Sequence, residues 1–191
     1  MKYNTYNLPW LLGKVSRKER VKYIFFWGHQ PGPDGTVTAS CFSQWWAGAF
    51  DVDGIRYATA EHWMMTGKAR LFNDQEMLEA ILKAHSPAEA KQLGRQVRNF
   101  DPDIWGKNCF DIVCEGNLHK FSQYPDLKDF LLNTGDRVIV EASPRDRIWG
   151  IGMGKSNENA ENPHLWRGQN LLGFALMEVR DRIRIADRKP D

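Results

Sequence analysis

Cysteine is scarce in this chain: there are three in 191 residues, at Cys41, Cys109 and Cys114, and no two form a CxxC pair. That excludes a disulfide framework and a paired-thiolate zinc site. On a helix Cys109 and Cys114 would project about 140° apart, so they share no face for a metal. Reduced thiols in a cytoplasmic setting are the simple expectation. An excess of one charge is lacking too. A net charge of +2 is too near neutral to argue for a nucleic-acid or membrane partner on electrostatics. No apolar run approaches the ~20 residues of a bilayer span, and Leu8 to Gly13 is too short for a secretory core. HExxH is absent. Trp149-Gly150-Ile151-Gly152-Met153-Gly154-Lys155 misses both GxGxxG, whose third glycine falls on Lys155, and the P-loop, which needs glycine where Trp149 stands. These absences leave no metal and no cofactor implied.

What is present suits one folded domain with a sizeable core: 42% hydrophobic and 12% aromatic residues, including eight Trp. Six basic residues face only Glu19 in the first 22 positions, which predicts a solvated basic N-terminal arm over 1–22. The folded domain is expected over 23–185, with a short C-terminal tail over 186–191. No repeat or linker divides it.

Lys22 to Trp27 reads as a strand, followed by the turn cluster Gln30 to Gly35. Asp53-Gly54, between Ala47–Asp51 and Ile55–Thr59, is a type I′ hairpin signal. Helices then follow in series. One begins at about Thr59, and a second is capped by Asn73 or Asp74. A third starts at the capping box Ser86-Pro87-Ala88-Glu89, and a fourth at Asp101-Pro102 runs to about Phe121. A shorter one follows Tyr124-Pro125. Arg137 to Ala142 is β-branched enough for a strand. Gly150 to Gly168 shows no period and is expected to be either a mobile lid loop that delivers Trp166 and Arg167 or a solvated surface insertion. The last helix, Asn170 to about Ile185, is expected to leave Arg180, Arg182 and Arg184 mostly outside. The fold class is thus α+β: a single, mostly helical domain with a small antiparallel sheet.

The segment with the most chemistry is Tyr57 to Ala69. Glu61 and Lys68 are seven residues apart and project within about 20° of each other on a helix, with Met65 between them. One face therefore offers a carboxylate and a cation. His62 beside them suits a structural or supporting hydrogen bond more than a metal site. Gly150 and Gly152, flanking Ile151 after Trp149, make a turn through which backbone amides can approach an anion.

Phe42-Ser43, Thr59-Ala60-Glu61-His62, Lys68-Ala69, Leu93-Gly94-Arg95, Trp105, Lys120-Phe121, Val140 to Asp146, Trp149 to Gly152 and Trp166 to Gly173 stand in the order seen in the NADAR, or YbiA-like, family. Over about Phe25 to Ile183 the chain resembles that family. The resemblance implies a metal-independent hydrolase of N-glycosidic bonds. Its expected substrates are phosphorylated ribosylamines of early riboflavin synthesis, or ADP-ribose joined to a nucleic-acid base such as guanine. It implies Glu61, Trp105 and Asp146 as catalytic positions. It implies Phe42, Ser43, His62, Lys68, Lys120, Trp149, Gly150, Gly152, Arg167 and Asn170 as substrate-binding positions. Gln44 stands where many members have Asn, and the loop from Lys155 to Arg167 is longer than in the compact riboflavin-linked members.

That chemistry is self-consistent. Breaking a ribosyl C–N bond builds positive charge on the anomeric carbon and negative charge on the departing nitrogen, so a carboxylate and a proton donor are both needed. Glu61 and Asp146 can fill the two posts in either order. Trp105 and Trp149 can stack on the base or cover the ribose, and Lys68, Lys120 and Arg167 can pair with phosphate. A lysine of lowered pKa at position 120 also has the option of attacking the anomeric carbon to form a Schiff base. The alternative from a different class is a module that binds ADP-ribose or a related nucleotide without cleaving it.

Overall fold

In the computed structural model, residues 5–188 are described. Helix α1 spans Leu8–Ser16, strand β1 Tyr23–Phe26, β2 Phe50–Val52 and β3 Ile55–Tyr57. Five helices follow: α2 Ala60–Leu71, α3 Gln75–Leu82, α4 Pro87–Gly94, α5 Pro102–Gln123 and α6 Pro125–Leu132. Strand β4, Val138–Glu141, and helix α7, Leu171–Asp187, complete the order.

The helix starts lie where the capping chemistry puts them. Thr59 caps α2, Asp74 caps α3, and the Ser86 hydroxyl accepts from Glu89 N at 3.1 Å to begin α4. Asp101 Oδ1 accepts from Asp103 N at 2.8 Å and Ile104 N at 2.9 Å to begin α5. Proline in the first turn of α4, α5 and α6 needs no partner for the amide it lacks. The hairpin forms as expected: β2 and β3 pair antiparallel, with Asp53 and Gly54 at φ of 51° and 78°.

The long helix α5 packs between α2 and α7, and α7 in turn covers β4. The core runs through Phe42, Val113, Phe121, Ile139, Val140, Phe174 and Leu176, all fully buried. Gly173 permits the closest approach of helix to strand. A Cβ there would stand 2.0 Å from the Ile139 carbonyl oxygen and 2.6 Å from the Asn170 side-chain amide.

Four expectations change. Besides the antiparallel hairpin there is a second pair, β1 with β4, which is parallel and in register from Tyr23↔Val138 to Phe26↔Glu141. Its strands are separated by most of the chain, so no local pattern announces the pairing. The basic N-terminal stretch contains α1, capped by Asn7 and docked through fully buried Leu11. It is further tied by Tyr6 Oη donating to Asp181 at 2.5 Å and by the Thr5 amide donating to Glu178. Arg180 is buried rather than outside, because its Nη1 donates to Thr134 Oγ1 at 2.9 Å and to the Arg137 carbonyl at 2.8 Å. The loop from Gly150 to Gly168 is a ladder of tight turns with Ile151, Met153, Ala160 and Pro163 buried, and Arg167 N donates back to Ile151 O at 3.0 Å. Residues 1–4 of the expected arm and 189–191 of the expected tail lie outside the described residues, and residues 186 and 187 continue α7.

Candidate active site

The carboxyl ends of a parallel strand pair, where the chain turns away and side chains of both strands converge, are a habitual place for a ligand cleft. Here β1 runs out into Trp27, Gly28 and His29, and β4 ends on Glu141 and leads to Ser143, Arg145 and Asp146. All of these line one cavity of about 870 Å³. The opposite wall is helical, with Glu61, Met65 and Lys68 from one face of α2, Lys91 and Gly94 of α4, Arg95 beyond its end, and Trp105 of α5. The face of α2 expected from spacing alone is therefore the face turned to the cavity. Trp45 and Trp149 add aromatic walls, while Trp27 and Ile148 stand 69% and 56% exposed at the mouth.

Three carboxyl groups meet this space. Glu61 is 2% exposed, its amide donates to the Gln44 carbonyl at 3.0 Å, and its Oε1 is enclosed without a hydrogen-bond partner. Burial pushes its carboxyl up to about 7; Lys91, the Trp45 indole and Arg95 pull against that rise and Asp146 adds to it. Glu141, at the last position of β4, has an enclosed Oε2 that is likewise unpartnered. Burial, then the charges of Asp146 and Glu61, push it up to about 8, with Lys91 opposing. Asp146 is oriented by its own turn: its Oδ1 accepts from Ile148 N at 2.9 Å and Trp149 N at 2.7 Å. Buried carboxyls with free oxygens are unusual in a folded core, and they mark a place prepared for another molecule's polar groups.

On the opposite side Lys68 reaches over the Phe100 ring at 4.0 Å and toward Trp105 at 5.8 Å, and donates to Gly94 O at 2.7 Å. Burial lowers its pKa. Lys91, Arg95 and Arg145 place three further cations around the cavity.

The motif positions therefore divide. Glu61, Trp105, Asp146, Ser43, Lys68 and Trp149 line the cavity; Phe42, His62, Lys120, Gly150, Gly152, Arg167 and Asn170 do not. Phe42 is core, packed against Phe26, Phe121 and Phe130. His62 is buried, bridging the Thr59 hydroxyl at 2.8 Å and the Ala84 carbonyl at 3.1 Å. Lys120 is fully buried, with Nζ donating to the carbonyls of Cys41 at 2.6 Å and Ser43 at 3.0 Å, so it shapes the segment bearing Ser43 rather than facing the cavity. Burial lowers its pKa to about 8. Gly150 packs against the Glu141 carbonyl, and Gly152, at φ of 68°, against Arg147 and Arg167. Trp166 donates its Nε1–H to Ala160 O at 2.8 Å and faces Tyr23, so neither it nor Arg167 reaches the cavity.

Asn170 has a supporting part. In the left-handed conformation, φ 55°, its Oδ1 accepts from Glu141 N and its Nδ2 donates to Ile139 O, both at 2.9 Å. One amide thereby fixes the strand end that carries Glu141.

Glu141, Trp45, Lys91, Arg95 and Arg145 line the cavity without having been singled out as site residues from the sequence. A glutamate ending an apolar strand reads as its solvent-facing last residue. The signal that finds Glu141 is its place at the carboxyl end of a strand whose partner runs parallel.

Enclosed carboxyls, tryptophan walls and a cationic surround, assembled where two parallel strands end, make a cleft equipped for acid/base chemistry. The chain belongs to the NADAR family: the NADAR domain model matches residues 25–184. It is 45% identical over 168 residues to N-glycosidase R617 of Acanthamoeba polyphaga mimivirus, covering 85% of this chain and 97% of that protein. The NMR structure of the Escherichia coli protein YbiA superposes with a TM-score of 0.70 at 27% identity, covering 90% of each chain. The riboflavin biosynthesis protein PYRR of Zea mays is 33% identical over 138 residues, which are 69% of this chain and 20% of that longer protein. Among the described residues no helix is long and apolar enough to cross a membrane.

Proposed function

We propose that this chain is a hydrolase of N-glycosyl bonds, acting on a phosphorylated ribosylamine or on ADP-ribose joined through its ribose to a base. The observation that carries this reading is the pair of enclosed, unpartnered carboxyl oxygens, Glu61 Oε1 and Glu141 Oε2, in one cavity with Asp146. The kinship to proteins named N-glycosidase supports the bond type, and the maize relative's name supports a riboflavin-pathway substrate.

In this reading a protonated carboxyl among Glu61 and Glu141 gives its proton to the departing nitrogen as the C–N bond breaks. The Asp146 carboxylate, held by its turn, faces the positive charge that develops on the anomeric carbon. A water then bonds to that carbon and returns a proton to the carboxyl that lost one, leaving a free sugar hydroxyl and a free amine or base. Trp105 and Trp149 cover the rings and keep bulk water from weakening the electrostatics. Lys68, Lys91, Arg95 and Arg145 hold the phosphate oxygens. The three free, buried cysteines fit a reducing compartment, and we place the activity in the cytoplasm.

The test is incubation of purified protein, with chelator present, with ribosylaminopyrimidine phosphate and separately with ADP-ribosylated guanine. Release of free amine or base from one of them is expected, and which one turns over assigns the leaving group. Tight binding of ADP-ribose with no turnover of either would overturn the enzyme reading in favour of a binding module.

A further inference from the structure

The main cavity opens where β1 and β4 end. A second one, of about 310 Å³, opens where they begin, beside Lys22 and Val138. Tyr6 and Trp10 make an aromatic wall there, ring centroids 4.8 Å apart and edge to face. Lys14, Arg20 and Lys22 bring cations to it, and Arg180 lies against it from α7. The lining has one acidic residue, Asp136. Lys14 is paired with Glu19 at 2.5 Å, whereas among the described residues neither Arg20 nor Lys22 forms an ion pair.

Arg180 is the telling member. It is 2% exposed, and its Nη1 is engaged by Thr134 and Arg137, but its Nε–H is enclosed and donates to nothing. The Asp181 carboxylate stands 3.9 Å from that nitrogen, beyond hydrogen-bond reach. Like charges gathered round a concave space repel one another, and an enclosed donor without an acceptor has given up its hydration for nothing. A phosphoryl group relieves both conditions, because its several oxygens can accept from the guanidinium and from the exposed cations of Arg20 and Lys22 together. The aromatic wall suits a ring attached to that phosphate.

We propose that this cavity is a second ligand site, taking a phosphorylated small molecule of mononucleotide size, with its phosphate toward Arg180, Arg20 and Lys22 and its ring against Tyr6 and Trp10. The site is separate from the glycosidase cavity and stands whether or not that assignment holds.

The experiment is a titration of the full chain, labelled with ¹⁵N, with AMP, with inorganic phosphate and with a short single-stranded oligonucleotide. The Trp10 indole N–H is assigned by its loss in Trp10→Phe. AMP should move that signal saturably, and phosphate more weakly. In the double variant Arg20→Ala, Lys22→Ala, which alters only exposed side chains, the AMP dissociation constant should rise at least tenfold. Arg95→Ala with Arg145→Ala, which strips cations from the main cavity, should leave the Trp10 response intact. Arg180→Lys keeps the charge without the Nε–H and should also weaken binding. A Trp10 signal unmoved by AMP, a response abolished by the main-cavity variant but not by Arg20→Ala, Lys22→Ala, or a response to the oligonucleotide alone would each overturn the proposal.

Discussion

Glu61→Gln keeps the side chain's volume and removes its charge. Burial lifts this carboxyl from 4.5 to about 7 in the folded chain, so the folded state holds the proton more tightly than the unfolded state does. Stability associated with the group is therefore fully present below about pH 4.5 and is lost as pH rises through about 7. At about 1.36 kcal/mol per pH unit, that rise amounts to a loss of about 3 kcal/mol above pH 8. A side chain 2% exposed is little screened by solvent. Glutamine does not ionise and escapes the loss. The variant should match the parent near pH 4.5 and exceed it at about pH 8.5, by enough to raise the melting temperature of a domain this size by about 6–10 °C. At the same time kcat should fall by about 10²–10⁴-fold with KM little changed. Thermal melts at both pH values, run beside steady-state kinetics, read the two effects independently. A variant no more stable than the parent at pH 8.5 would show that the Glu61 charge is already satisfied in the free protein. Near-parental kcat would remove Glu61 from the chemistry.

Glu141→Gln should also lower kcat by about 10²-fold or more. Because burial pushes Glu141 up to about 8, activity that needs its proton declines as pH rises through that value; the alkaline limb of the parent's pH–rate profile should be missing from the variant, and an unchanged limb would assign the proton elsewhere. Lys120→Met strips the donor from two buried carbonyls and should cost about 2–4 kcal/mol in a urea titration; a variant as stable as the parent would show that the Cys41 and Ser43 carbonyls find other partners. Deleting residues 157–162 removes the carbonyl that holds Trp166 and the buried Ala160; the melting temperature should drop by several degrees, and an equally stable, fully active deletion would show the loop to be a passive insertion.

Local features were legible in the sequence because their causes are local. Thr59, Asp74, Ser86 and Asp101 each satisfy amides within three residues, and Asp53-Gly54 turns its hairpin unaided. The helical face of Glu61, Met65 and Lys68 needed only the pitch of a helix. Long-range consequences were not legible. The parallel partnership of β1 with β4 turns Glu141 from a strand terminus into a wall of the cavity, and nothing near position 141 states it. Arg180 looked solvated because its acceptors, Thr134 and the Arg137 carbonyl, come from another part of the chain. The family motif marked positions without separating their duties: Glu61 and Asp146 face the cavity, Phe42 and His62 hold the core beneath it, and Asn170 steadies the strand from behind.

The pairing of β1 with β4 also sets a timetable. During synthesis Tyr23 emerges early, yet its partner Val138 appears only after all five central helices have been made, and the Asn170 clamp later still. Until then the backbone of β1, Tyr23 to Phe26, lacks its strand partner, and only the segment of Phe42, made soon after it, can pack on it. Helices α2 to α6 can begin to pack on one another before then; the cavity floor cannot form. Closing so long an interval is slow, so the cavity is completed only once β4 and the start of α7 have been made. A nascent chain released before α7 would carry Glu61 and Trp105 with no site for them to serve.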